Sequence, residues 1–185
     1  RIPKKNITNF CGKPIIAYSE VYSIKNYFLS SVADKIYMNP VGGIDHKGLS
    51  ATVMFFKGLL EKLNIDLQIF RLGKFKSAIE PFTLDKMSNE NREQLKLMLN
   101  SINNNIMDSI SSQRQIPFEM VKKHANQLTL NSAEICLEKG YIDHLIYEDQ
   151  VEDSLIAIGT NKKLRTISLK GYSSVKSKEK DISRN

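Results

Sequence analysis

The feature that most constrains this chain is the order of its first five apolar segments. Pro14 to Tyr18 reads as a short buried strand, and Val21 to Ala33 as a helix with Ile24, Tyr27, Phe28 and Val32 on one face. Lys35 to Met38 is a second strand, closed by Asn39-Pro40. Ser50 to Leu63 is a helix whose stripe is Val53, Phe56, Leu60 and Leu63, and Asp66 to Leu72 is a third strand. Strand, helix, strand, helix, strand predicts parallel pairing through right-handed crossovers, hence an α/β fold with a mostly parallel sheet and βα crossovers. A long helix follows, capped by Ser88, with Leu95, Leu99, Ile102, Ile106 and Ile110 as its core face.

Later elements are short and punctuated. Pro117 starts a helix carrying Phe118, Val121 and Ala125 inward. Asn131 with Glu134 forms a capping box for a helix ending at Gly140, and Asp149 with Glu152 does so for one ending at Gly159. Residues 1 to 10 read as the end of a helix or a loop leading into Cys11-Gly12-Lys13-Pro14.

Chemistry is concentrated in Phe70-Arg71-Leu72-Gly73-Lys74-Phe75-Lys76-Ser77-Ala78-Ile79-Glu80-Pro81-Phe82. The strand breaks at Gly73, and Lys76 then sits among Phe75, Ala78, Ile79 and Phe82. Desolvation there would lower its pKa, and only a lysine pushed toward neutrality can take a proton from a nucleophile near pH 7. A lysine that lays its stem along apolar surface with its charge in water has the same pattern, and Lys74 competes from two residues away. Composition leaves these readings open.

From Gly12 to Pro81 the chain resembles the N-terminal repeat of the long-form signal peptide peptidase A, or protease IV, family. The matching residues are Gly12-Lys13-Pro14-Ile15-Ile16-Ala17, Tyr27, Ala33-Asp34-Lys35-Ile36-Tyr37, Pro40, Asp45, Gly48, Phe56-Lys57-Gly58-Leu59-Leu60, Phe70-Arg71 and Lys76-Ser77-Ala78-Ile79-Glu80-Pro81-Phe82. Weaker similarity continues through the long helix, Gln115-Ile116-Pro117 and Lys163-Leu164-Arg165-Thr166-Ile167-Ser168. The segment from Leu130-Asn131-Ser132-Ala133-Glu134 to Lys139-Gly140-Tyr141-Ile142-Asp143 resembles the ClpP/crotonase-like superfamily, where it precedes a short strand near the edge of the core. The resemblance implies that Lys76 is the general base of a Ser-Lys dyad, with Lys74 at a variable place.

It also implies a divided site. In that family the nucleophilic serine opens a helix in the second repeat. Aligning on Tyr27 puts Ile24 at the corresponding place here, and Ser23 is one residue off register, about 100° of helical rotation away. Ser23 is therefore expected to be a cap or first-turn residue. The serine and a backbone oxyanion hole would come from a second repeat beyond Asn185, and the chain alone is expected to be an inactive part of an enzyme. The resemblance further implies cleaved signal peptides or other extended apolar segments as substrates and self-assembly into a homo-oligomer. It places the catalytic part on the extracytoplasmic side of a bacterial membrane, held through a segment outside this chain. It implies no cofactor and no metal; substrate-binding residues stay unassigned.

The 185 residues, 41% hydrophobic and 25% charged, suffice for one domain. The organisation expected is a repeat over residues 1–160 and a basic linker or arm over 161–185. The chain opens at Arg1 rather than methionine and is expected to be a fragment; no apolar run approaches the ~20 residues of a membrane span, and no signal peptide is visible. Residues 162–180 hold seven Lys or Arg against one Glu, so six of the seven net positive charges fall in one polar segment, which argues against nucleic-acid binding. Cys11 and Cys136 lack metal-ligand spacing. Asp45-His46, Asp143-His144 and His124 are expected at the surface or in supporting positions, and Gly42-Gly43 as a plain turn without the P-loop continuation. Two alternatives stand beside the peptidase: a crotonase-type acyl-CoA enzyme, disfavoured by a lysine where oxyanion amides and carboxylates are needed, and a non-catalytic oligomerisation module in which Lys76 is dispensable.

Overall fold

Lys35–Met38 forms the central strand of a three-stranded sheet in the computed structural model, which describes residues 14–68, 77–158 and 164–174. In chain order the elements of the first unit are β1 (Ile16–Ser19), β2 (Tyr22–Ser23), α1 (Ile24–Ser30), β3 (Lys35–Met38), β4 (Ile44–Asp45) and α2 (Lys57–Lys62). They continue with a 3-10 turn (Ser77–Ile79), α3 (Glu80–Thr83), α4 (Asn89–Arg114), α5 (Phe118–Asn126), α6 (Ala133–Glu138) and β5 (His144–Leu145). The sheet order is β1-β3-β5 and every pairing is parallel, with Ile16 opposite Lys35 and Tyr37 opposite His144. Ile36, Tyr37 and Met38 are all buried, as a continuous apolar run in a parallel strand requires. β5 is the short edge strand expected after Asp143.

Beyond Ser19 and Met38 the two neighbouring chains diverge and pair again as β2 and β4, with Tyr22 opposite Ile44. This corrects the helix expected from Val21. Tyr22 donates its N–H to the Gly43 carbonyl (3.0 Å) and buries its ring with the hydroxyl on the Tyr37 carbonyl (3.0 Å). Only from Ile24 does the backbone turn helical, with Ser23 as N-cap accepting from the Asn26 N–H (3.3 Å). Ser23 is the cap its register implied.

The second helix is also shorter than its apolar stripe suggests. α2 covers Lys57–Lys62, none of its residues is buried, and residues 50–56 carry no regular structure. β-Branched Thr52 and Val53 on one side and Gly58 inside the helix weaken its intrinsic preference. The start of α2 is set by tertiary contact instead, because the Phe56 N–H donates to the Pro81 carbonyl (2.6 Å). Of the strand expected over Asp66 to Leu72, residues 66–68 carry no strand, and 69–72 lie outside the described residues.

α4 begins where Ser88 predicted, its hydroxyl accepting from the Asn91 N–H (3.2 Å). Its buried residues lie mainly in the C-terminal half, at Met107 and Ile110 with Ile106 packed on the core, whereas Leu95 and Leu99 are half-buried and Ile102 is exposed. α5 buries Val121 and Ala125 as expected. The cap of α6 is Ser132, not Asn131: its hydroxyl accepts from the Ile135 N–H (3.4 Å) while the Asn131 backbone packs on Gly43. Gly140, at φ +77°, ends that helix.

Three buried tyrosines join these layers. Tyr22 meets Tyr27 edge-on (5.9 Å), Tyr27 meets Tyr141 (5.8 Å), and the Tyr27 hydroxyl donates to the Tyr141 carbonyl (2.6 Å). The Tyr22 and Tyr27 hydroxyls thus each have a carbonyl partner, as an apolar core demands. The second unit, residues 146–185, contains α7 (Glu148–Ile158) and α8 (Leu169–Ser173). The Gln150 side chain accepts from the Tyr147 N–H (3.0 Å), half of a capping box two residues earlier than the Asp149 and Glu152 pair implied. Ser168 caps α8 through the Gly171 N–H (3.1 Å).

Candidate functional site

Lys76 and Lys74 lie outside the described residues; what is described is the half of the motif that follows. Its centre is Glu80, a carboxylate only 4% exposed. Glu80 Oε1 accepts from the Ser88 hydroxyl (2.6 Å), and Oε2 accepts from the Ser88 N–H (3.2 Å) and the Asn91 side-chain amide (3.0 Å). A buried carboxylate is tolerated when donors surround it, and these three contribute to that shell. The Ser88 hydroxyl does two jobs, donating to Glu80 and capping α4.

The other side of the motif is held by α2. Besides the Phe56 N–H bond to Pro81, the Phe56 and Phe82 rings stack at 5.8 Å with 23° between planes. Thr83 donates its hydroxyl to the Ile79 carbonyl (3.1 Å). At the surface Lys57 pairs with Asp85 (3.0 Å) and Glu61 (3.7 Å), and the Asp85 carboxylate raises the pKa of its ammonium. The residues after Lys76 are therefore clamped between the starts of two helices. In the sequence Glu80 stands only as one member of the motif; the polar positions eight and eleven residues on, Ser88 and Asn91, are the signal that it is an anchor.

The remaining candidates separate. His144 is exposed and lies edge-on to Tyr37 (5.3 Å). His124 is buried with Nδ1 3.1 Å from the Tyr141 hydroxyl, and burial, then the Lys139 and Lys123 charges, hold its pKa below the ordinary histidine value. Asp143 accepts from the Ile36 N–H (2.8 Å) and from both terminal nitrogens of Arg114 (3.2 Å each). Burial alone would raise its pKa, but Arg114, the Ile36 N–H and Lys35 outweigh that and lower it. Asp45 pairs with Lys47 at the surface (3.0 Å). His46 departs from the expectation: it is 3% exposed, and neither ring nitrogen has a hydrogen-bond partner among the described residues.

Cys136 is a free buried thiol whose pKa burial raises to about 11, so it is no nucleophile at neutral pH. Among the described residues no group of His, Cys, Asp and Glu is placed to hold a metal ion, and no helix is long and apolar enough to cross a membrane.

The sequence matches the profile of peptidase family S49 over residues 9–160, which includes both the sheet and the Lys76 motif. The chain belongs to peptidase family S49. This S49 chain is 34% identical over 171 residues, 87% of its length, to Protease 4 of Haemophilus influenzae, and 32% identical over 178 residues, 94% of its length, to the chloroplastic Serine protease SPPA of Arabidopsis thaliana. It is 39% identical over 105 residues, 57% of its length, to Protease 4 of Salmonella typhi. The chain spans 28%, 26% and 17% of those relatives' lengths in turn. The parallel α/β architecture is the ClpP-like fold of S49, as the resemblance implied.

Proposed function

We propose that this chain is the base-supplying repeat of an S49 serine endopeptidase, with Lys76 as the general base of a Ser-Lys dyad. The observation that carries the reading is that the Lys76 motif falls inside the matched stretch of residues 9–160. Neutral Lys76 accepts the proton of a serine lent by a second repeat, and the oxygen attacks a peptide carbonyl. Backbone N–H groups stabilise the oxyanion, the lysine ammonium returns the proton to the leaving amine, and water then releases the acyl group. The Glu80 clamp supports this role by fixing the segment next to the lysine, since a base displaced by about 1 Å forfeits much of its rate.

The substrates on this reading are cleaved signal peptides and similar extended apolar segments. The enzyme acts on the extracytoplasmic side of a membrane to which another segment holds it, and it works as a homo-oligomer. The decisive experiment uses a chain carrying both repeats. Lys76→Ala abolishes peptide hydrolysis while the circular dichroism spectrum and Tm stay unchanged; turnover retained by the folded variant refutes the assignment.

A further inference from the structure

Within the first unit, α4 and α5 meet across a cleft of ≈ 670 Å³ that the turn at Lys47-Gly48 bounds on one side. That volume falls in the range of small-ligand pockets, about 300–1,000 Å³. Its walls follow from helical spacing. Asn100, Asn104 and Met107 recur at i, i+4 and i+7 on α4, and Lys122 and Asn126 at i and i+4 on α5, so each set shares one face of its helix. Helices that meet through Leu or Ile at such positions interdigitate and exclude water. Amides and an ammonium at these positions leave the faces open above a floor of Met107 and Ala125, which are 2% and 8% exposed.

The polar groups of this lining are accessible and uncommitted. Asn100, Asn104, Lys122 and Asn126 are exposed, and among the described residues their side chains have no hydrogen-bond or ion-pair partner. Asn103 stands apart from that set, because its Oδ1 is buried and its Nδ2 faces the Met107 sulfur (4.0 Å). Lys47 is taken by Asp45 (3.0 Å), which leaves Lys122 as the uncommitted cation of the lining. Among the described residues no Asp or Glu lines the cleft; Asp108 and Glu119, about one turn along α4 and α5, stay outside it. A cationic ligand therefore finds no countercharge in these walls, whereas a carboxylate finds an ammonium. The described lining has no aromatic ring either, so a sugar or a nucleobase has no face to stack on. Each primary amide presents an N–H and a C=O together, the complement of a peptide group.

We propose that this cleft holds the free C-terminal end of a peptide, with Lys122 pairing with the terminal carboxylate and Asn100, Asn104 and Asn126 meeting the last peptide groups. That the ligand is a peptide rests on the peptidase reading; that it ends in an anion rests on the lining alone. The test titrates the full chain with acetyl-Ala-Leu-Ala bearing either a free C-terminal carboxylate or a C-terminal amide, and with acetate alone, and follows the side-chain amide resonances of the asparagines. The free acid is expected to move those of Asn100, Asn104 and Asn126 and to bind about fivefold more tightly than the amide. Acetate, which has no peptide groups for the amides to meet, is expected to bind more weakly than either. Lys122→Gln, at an exposed position, is expected to erase the preference for the acid while the amidated peptide binds as before. Lys123→Gln removes the same charge one residue on, outside the lining, and is expected to keep the preference. Equal binding of acid and amide, acetate binding as tightly as the acid peptide, unmoved asparagine resonances, or equal losses in Lys122→Gln and Lys123→Gln each overturn the proposal. Binding and not hydrolysis is read, so failure here leaves the Lys76 assignment standing, and turnover retained by Lys76→Ala leaves this cleft standing.

Discussion

The Ser88 hydroxyl lies 2.6 Å from Glu80 Oε1 and joins the motif that follows Lys76 to the first turn of the longest helix. Glu80→Ala would leave Ser88 and Asn91 donors buried without their acceptor and is expected to cost about 3 kcal/mol. Ser88→Ala removes the cap as well as one donor and is expected to cost about 2 kcal/mol. Urea denaturation measures both. A loss below about 0.5 kcal/mol in Glu80→Ala would show that the clamp contributes nothing.

The glycines of the chain are not equivalent, and alanine substitution separates them. At Gly43 a Cβ meets the Asn131 carbonyl oxygen at 2.9 Å, and at Gly42 it collides with the Glu20 carbonyl oxygen, backbone that cannot swing away. Gly42→Ala and Gly43→Ala are each expected to destabilise by about 1–3 kcal/mol. Gly58, inside α2 with nothing within 4 Å of an added Cβ, should stabilise by roughly 0.5–1 kcal/mol when changed to alanine. Thermal unfolding of the three variants gives opposite signs if close backbone approach governs the pair.

Much of the fold was legible because its signals are local. Lys35 to Met38 forms the strand its apolar run indicates, and Ser88, Pro117 and Gly140 mark helix ends as their caps and φ preferences dictate. Failures came where a distant partner decides. Tyr22 belongs to a strand because Gly43 accepts its N–H, and α2 starts at Lys57 because Pro81 holds Phe56; neither partner is visible within a local window. In the site the same distinction holds. The lysine motif is recognisable from contiguous residues, whereas the anchoring of Glu80 and the burial of His46 depend on contacts that periodicity does not encode.

Two histidines make stability fall on mild acidification. His46, by burial, and His124, by burial with two lysines near it, are held below the ordinary value of about 6.5 in the fold. The unfolded chain therefore binds protons first. Stability from these groups is complete above about pH 6.5 and is lost as the pH falls toward their folded values. Asp143 acts lower: its folded pKa is depressed, so its contribution is present above about pH 4 and disappears as the pH falls below that. Urea midpoints between pH 7.5 and 4.5 should decline, and His46→Phe should flatten the upper part of that decline. A midpoint constant from pH 7.5 to 5 would contradict both assignments.

Arg114 offers a sharper discrimination because its role depends on shape as well as charge. It ends α4, and its Nε and one terminal nitrogen both donate to the Gly140 carbonyl (3.1 and 3.0 Å) while its two terminal nitrogens grip Asp143. Asp143 in turn exchanges two bonds with Ile36, its carboxylate accepting one N–H and its own N–H donating to the carbonyl (2.8 Å each). One guanidinium thus links the end of the long helix to the strand pairing of β3 and β5. Arg114→Ala leaves the mostly buried Asp143 carboxylate without its cation and is expected to cost about 3 kcal/mol. Lysine keeps the charge but cannot reproduce a planar fork that engages a carboxylate and a carbonyl together, so Arg114→Lys should recover less than half of that loss. Amide exchange should rise at Ile36 and Asp143 in both variants while the start of α4 stays protected. Full recovery by lysine would mean that charge alone, and not the geometry of the fork, holds β5 at the sheet edge.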